Sequence, residues 1–163
     1  MAESLVVRRI YLEKLKNWRE KQLIKVISGV RRCGKSTLLS LYIAELKKSG
    51  VPDGDIVFLN LEDVENEELL HYRALYAYLA GKLRKGRYTY IFIDEVQECP
   101  QFEKAVDSLF LRENVDIYIT GSNSYMLSGE LATKLSGRYV EIALLPLSFA
   151  EYLDFTGTGR DRA

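Results

Sequence analysis

The sequence has little of what several specialised classes of protein require. Only two of its 163 residues are cysteines, Cys33 and Cys99, so no disulfide framework is available. Reduced thiols in a cytoplasmic protein are the simplest reading. Neither sign of charge is in excess: 23 Lys+Arg stand against 23 Asp+Glu. Bulk charge therefore supplies no cationic coat for nucleic acid or membrane, and any such contact would need a local patch. No apolar run approaches the roughly 18–20 residues of a membrane span. Met1–Arg9 carries charge without an apolar run of signal-peptide length, so neither export nor a membrane partner is expected. A single histidine, His71, falls off the apolar face of its expected helix and is no candidate for catalysis. What is present is ordinary for a globule: 47% hydrophobic and 28% charged residues, which excludes disorder and fibrous repeats.

Apolar runs and helical periodicities alternate along the chain. Val7, Tyr11, Leu15 and Trp18 recur at spacings of a helical face and predict an amphipathic helix over 3–21, within an N-terminal segment 1–22. Strands are expected at 23–30, 56–61, 89–96, 115–120 and 139–145, each a short β-branched or aromatic run. Helices are expected between them: from Gly34 to about Ser49, from the acidic stretch 62–68 to Gly86, from Pro100 to Glu113 and near 124–135. In the second of these, Leu69, Tyr72, Tyr76, Leu79 and Leu83 form the inward face, and the acids read as its solvated start. A last helix is expected at 149–155. Strands separated by helices of this length imply βαβ crossovers, hence a mainly parallel sheet covered on both faces, over a core 23–155. The tail 156–163 reads as a linker leading toward a further lid or domain.

Gly29-Val-Arg-Arg-Cys-Gly-Lys35-Ser36 satisfies G-x-x-x-x-G-K-[ST] between an apolar strand and a helix. A glycine-bounded loop turns backbone N–H groups inward as an anion nest, which the following helix N-terminus reinforces. Lys35 is placed to reach β- and γ-phosphates and the Ser36 hydroxyl to ligate Mg²⁺. Gly29, Cys33, Gly34 and Thr37 complete the expected cradle. Arg31 and Arg32 either help hold phosphate or face solvent, and Cys33 is either filler or a thiol whose oxidation would block nucleotide.

Tyr90-Ile-Phe-Ile-Asp94-Glu95 describes a buried strand delivering an acid to the C-terminal edge of the sheet, where open α/β sheets bind ligands. Asp94 fits the acid that holds Mg²⁺ opposite Ser36. Glu95, by strand alternation on the other face, is placed to polarise an attacking water. Ile117-Tyr-Ile-Thr-Gly-Ser122-Asn123 ends a strand in hydroxyl and amide groups, of which Ser122 or Asn123 would sit between the water and the γ-phosphate. A turn and helix cap is the alternative. Arg138, entering the fifth strand, is either a surface arginine or one that stabilises phosphate charge on a neighbouring subunit.

Three phrases, VISGVRRCGKSTLL (26–39), YIFIDEVQECPQFEKAVDSL (90–109) and IYITGSNSYMLSGELATKLSGRYVEIALLPLSFAEYL (117–153), resemble the AAA+ branch of P-loop ATPases. Within it, the chain is similar to a prokaryotic family of predicted ATPases that continue into a C-terminal domain of uncertain role. The resemblance implies a three-layer α/β/α sandwich with strand order 5-1-4-3-2. It implies that Lys35, Ser36, Asp94 and Glu95 bind and hydrolyse MgATP, with Ser122 or Asn123 as first sensor and Arg138 as a candidate arginine finger. It further implies self-assembly, or a protein or DNA partner reached through the C-terminal region, as candidate partnerships. The helical lid usual in AAA+ proteins would begin about where the sequence ends. Two functions compete on these grounds: an ATPase that drives a conformational change, and a nucleotide-gated interaction module with little turnover. A small-molecule kinase lacks a clear acceptor segment, and no Asn-Lys-x-Asp motif speaks for GTP.

Overall fold

The computed structural model describes residues 9–122 and 130–145. Within them the chain runs α1 (Arg9–Trp18), β1 (Ile24–Gly29), α2 (Lys35–Lys48), β2 (Ile56–Asn60), α3 (Tyr72–Ala80), β3 (Thr89–Asp94), α4 (Phe102–Phe110), β4 (Val115–Ser122), α5 (Glu130–Lys134) and β5 (Tyr139–Leu144). The five strands form one sheet in the order β2-β3-β4-β1-β5, every neighbouring pair parallel. This is the order 5-1-4-3-2 read from the opposite edge. Because all strands point the same way, their C-terminal ends gather at one edge, where β1, β3 and β4 lie side by side.

Strand alternation assigns each residue to a layer. Ile24 and Val26 of β1, Ile91 and Ile93 of β3, and Ile117 and Ile119 of β4 pack with Leu75, Leu79, Phe102, Val106 and Leu109 of α3 and α4. Ile27, Tyr90, Phe92 and Tyr118 pack on the other face with Leu12 and Leu15 of α1 and Leu38, Leu39 and Tyr42 of α2. Phe92 and Tyr118 stack at 4.7 Å between centroids. The same alternation sends Asp94, two residues beyond Phe92, and Thr120, two beyond Tyr118, toward the α2 layer. That parity prepares the site described below.

Polar residues also occupy this layer at the opposite, N-terminal edge. Lys25 Nζ meets Asp116 Oδ1 at 2.6 Å with both side chains fully buried. The ammonium also donates to Lys21 O at 2.6 Å, while Asp116 Oδ2 accepts from Glu20 N (2.9 Å) and the Tyr118 hydroxyl (2.8 Å). Glu20 adopts φ 59° in the turn that delivers its N–H. Burial lowers the pKa of Lys25, and the attraction of Asp116 partly restores it.

Several elements differ from the sequence reading. α1 ends at Trp18, and residues 1–8 lie outside the described part. The expected long helix from the acidic stretch to Gly86 is two pieces, a 3-10 helix Val64–Leu69 and the shorter α3. Local side-chain bonds open the first piece, Asn60 Oδ1 accepting from Glu62 N and Asp63 Oδ1 from Glu65 N, and the break itself falls at His71. His71 is not on the helix face but at its N-cap, its Nδ1 accepting from Arg73 N at 3.2 Å. α4 starts at Phe102 after Gln101 turns through φ 59°, and ends three residues before Glu113. The expected start of the helix near 124 and the last helix at 149–155 fall outside the described residues. Among the described residues, no helix is long and apolar enough to cross a membrane.

Candidate functional site

β1 ends at Gly29, and the loop that follows returns the chain to α2 at Lys35. A Cβ on Gly29 would stand 2.5 Å from Cys33 Sγ and 2.8 Å from Leu144 O, so only glycine fits. Gly34 caps α2 with φ 99°, a left-handed value that glycine adopts without strain. These two glycines set the loop's curvature. Lys35 is 4% exposed, and its Nζ donates to Gly29 O and Val30 O at 3.0 Å each. The ammonium thus lies across the mouth of the loop. Cys33 is buried beneath the loop, whereas Arg31, Arg32, Ser36 and Thr37 are exposed. Arg31 leans toward Glu62 at 3.5 Å but remains 84% exposed, and Arg32 takes φ 65° in the turn.

Asp94 is the meeting point. Its Oδ2 accepts from Ser36 Oγ and its Oδ1 from Thr120 Oγ1, both at 2.5 Å, and the residue is 1% exposed. The register Phe92↔Tyr118 places Thr120 beside it, and α2 brings Ser36 over it. Thr120 does double duty, because its hydroxyl oxygen also accepts from Glu95 N at 2.9 Å. Sequence reading passed over Thr120, since a threonine in a strand reads as an ordinary β-former. Its signal was positional: a hydroxyl at the last buried position of the strand beside the acid.

Glu95 departs from the expected strand alternation. β3 stops at Asp94, and Glu95 turns through φ 58°, ψ 56° as the N-cap of a 3-10 helix Val96–Glu98. A non-glycine residue held left-handed costs of order 1–2 kcal/mol, which its backbone bond to Thr120 offsets. The Glu95 carboxylate accepts from Gln97 Nε2 at 2.5 Å. Val30, Arg31, Glu62, Glu95, Gln97, Glu98 and Ser122 line a cavity of about 480 Å³ against the loop. Ser122 enters it from β4, in register with Gly29. Asn123, the other sensor candidate, lies outside the described residues.

Arg138 sits elsewhere. Its carbonyl accepts from Ile24 N at 2.9 Å, at the start of β1, and its guanidinium lies 5.6 Å over the Phe110 ring. Five residue steps of strand separate Ile24 from Gly29, roughly 16 Å. Arg138 is therefore at the far edge of the sheet from its own chain's loop. It lies near Asp107, whose pKa burial raises and Arg138 draws back down.

The chemistry of the donor set suits a divalent cation held with phosphate. Among the described residues no cluster of three His, Cys, Asp or Glu could hold a metal alone. One hydroxyl and one carboxylate beside a glycine-bounded loop match the sparse protein ligation typical of Mg²⁺, which keeps waters and phosphate oxygens.

Comparison with known proteins agrees with this fold. The family model described as "AAA domain" matches residues 21–153. An uncharacterised protein of Haemophilus influenzae is 42% identical over 154 residues, covering 94% of this chain and 38% of its own length. One from Methanocaldococcus jannaschii is 37% identical over 134 residues, covering 81% of this chain and 28% of its own. The chain thus spans well under half of these relatives. A DNA polymerase III gamma subunit-related protein of Thermotoga maritima superposes with TM-score 0.63 at 15% identity, over 93% of this chain and 50% of that one. Aeropyrum pernix ORC1, solved with DNA, gives 0.62 at 16% identity, over 96% and 50%. Aquifex aeolicus DnaA bound to AMPPCP gives 0.56 at 18% identity, over 92% and 49%. At these identities the structures speak for the fold, and together with the family match they establish that the chain belongs to the AAA family and carries an AAA+ P-loop ATPase-type domain.

Proposed function

We propose that this domain binds MgATP and cleaves its β–γ bond with water, driving a conformational change in the larger protein. The observation that carries the reading is Asp94, fixed by hydroxyls from α2 and β4 directly beside the phosphate loop, with Glu95 next to it. The loop amides and the N-terminus of α2 bind phosphate, and Lys35 leaves its two carbonyl partners to meet β- and γ-oxygens. Mg²⁺, held through Ser36 and Asp94, would neutralise charge on the phosphates. Glu95 accepts the proton of the attacking water, and Ser122 or Asn123 orients that water against the γ-phosphate. Lys35 stabilises charge on the transferring group. Thr37, Arg31 and Arg32 border the phosphate path.

Arg138 favours a second reading for the isolated domain. Its place at the far edge of the sheet gives the chain no arginine near its own loop from that strand, so an arginine finger would have to come from a neighbouring subunit. Alone, the domain then behaves as a nucleotide-gated interaction module that binds ATP with little turnover. A homo-oligomer would supply Arg138 in trans. A protein or DNA partner would be engaged through the longer protein's C-terminal region, and a cytoplasmic location suits both readings.

Calorimetry of MgATP binding beside a Lys35→Ala control, with phosphate release followed in the same samples, tests the proposal. Loss of the lysine's charge-assisted contacts should weaken binding about 10–100-fold. Binding in both proteins alike would overturn the assignment of the loop. Glu95→Gln in the full-length protein should keep binding and lose about 10²–10⁴-fold in turnover.

A further inference from the structure

We propose that Gln97 is a positioning residue for Glu95: its side-chain amide fixes the carboxylate that activates water. The inference rests on the hydrolytic reading above and deepens it. Gln97 lies two residues beyond Glu95 in the 3-10 helix and lines the same cavity as Glu95 and Ser122.

An ionised carboxylate only accepts hydrogen bonds, so the amide nitrogen of Gln97 must be the atom that faces Glu95. The amide carbonyl is thereby turned the other way. There its oxygen is buried and finds no donor among the described residues. An orphaned buried acceptor costs stability, and a methionine of the same length would fill the space without that cost. The glutamine at this position is thus explained by what its nitrogen does and not by what its oxygen receives.

The geometry around Glu95 is consistent with that role. The backbone N–H is pinned by Thr120 and one carboxylate oxygen, Oε2, by Gln97. A single donor on one oxygen restricts the carboxylate's rotation and leaves the second oxygen to take a proton from water. Glu95, turned left-handed, leads into the 3-10 helix Val96–Glu98, where the amide of residue 97 meets the carboxylate of residue 95.

The test uses the protein at its full natural length and three variants: Gln97→Met, Gln97→Glu, and Gln97→Met in a Glu95→Gln background. Gln97→Met should lower kcat about 10–100-fold, the range for loss of an orienting partner. KM for MgATP should stay within about threefold, and Tm should be unchanged or higher, because the orphaned oxygen is gone. Gln97→Glu keeps the shape and the acceptor but sets a second carboxylate against Glu95, and should lose at least as much. Added to Glu95→Gln, the methionine should lower the residual rate less than about twofold, since the group it orients is already removed. A Gln97→Met kcat within twofold of wild type overturns the inference while leaving the hydrolytic reading intact. So does a kcat loss matched by falling Tm and rising KM, or penalties that multiply in the double variant. Absence of hydrolysis in the wild type overturns the hydrolytic reading and this inference with it.

Discussion

The Ser36 hydroxyl donates to Asp94 Oδ2 across 58 residues of chain, joining the first turn of α2 to the end of β3. The two ends of the nucleotide site are therefore already in contact through the atoms expected to share a cation. Ser36→Ala should raise the Mg²⁺ concentration for half-maximal turnover about tenfold or more, with nucleotide binding in EDTA little changed. Metal titration of phosphate release, with and without chelator, measures this. An unshifted midpoint would remove Ser36 from the ligand set.

Thr120→Val keeps the shape of a fully buried side chain while deleting the donor to Asp94 and the acceptor for Glu95 N. Two groups, Asp94 Oδ1 and the Glu95 N–H, lose this partner at about 1–3 kcal/mol each, which should lower Tm by roughly 4 °C or more. Turnover should fall further than nucleotide affinity, because the variant loosens Glu95 and leaves Lys35 and the loop untouched. Thermal melts beside steady-state kinetics separate the two effects.

Lys25→Met leaves Asp116 charged and buried without its ion partner, which should cost about 3–5 kcal/mol. Lys25→Met/Asp116→Asn should recover most of that loss, because the amide oxygen still accepts from Glu20 N and the Tyr118 hydroxyl. Urea unfolding of the single and double variants reads the coupling directly.

Burial pushes the Cys99 thiol up from 9.0 to about 11 and the Tyr42 and Tyr90 phenols from 10.0 to about 12. In each case the folded chain keeps a proton that the unfolded chain releases first. The unfolded state then binds fewer protons, so stability falls as pH climbs from about 9 toward 12 and is unaffected below that window. Tm should be flat near pH 8 and drop clearly by about pH 10.5. At pH 8 the native protein should show at most one thiol to a disulfide reagent, with Cys99 protected until denaturant is added.

An Arg138→Ala chain should bind MgATP normally yet turn over poorly at any concentration. Mixed with Glu95→Gln chains, it should regain activity, since each variant supplies what the other lacks at a shared boundary. No recovery on mixing would remove Arg138 from the phosphate chemistry.

Much of this arrangement was legible because alternation and spacing are strict. The run TYIFID could only be a strand ending in an acid, and the loop glycines could only precede a helix. What escaped were features that depend on partners distant in sequence or on short local bonds. Lys25 in a strand gives no sign that Asp116 waits across the sheet. The inward spacing from Leu69 to Leu83 looks helical throughout, yet the His71 imidazole offers the N–H of Arg73 a nearer acceptor and starts a new helix there. Glu95 obeys the strand pattern until Thr120 takes its N–H, and Thr120 itself is silent without the register that sets it beside Asp94.

The ion pair between Lys25 and Asp116 also has a temporal side. Its partners are 91 residues apart, and among the described residues β1 pairs with β4 and β5, both made after β2 and β3. At about 5–20 residues per second, β1 leaves the ribosome roughly 5–20 s before any neighbour exists. Throughout that interval Lys25 is a free charge in the middle of an otherwise apolar segment, the kind of gatekeeper that discourages pairing with stray strands. Once Asp116 emerges, the same charge becomes the mark by which β1 accepts the correct neighbour.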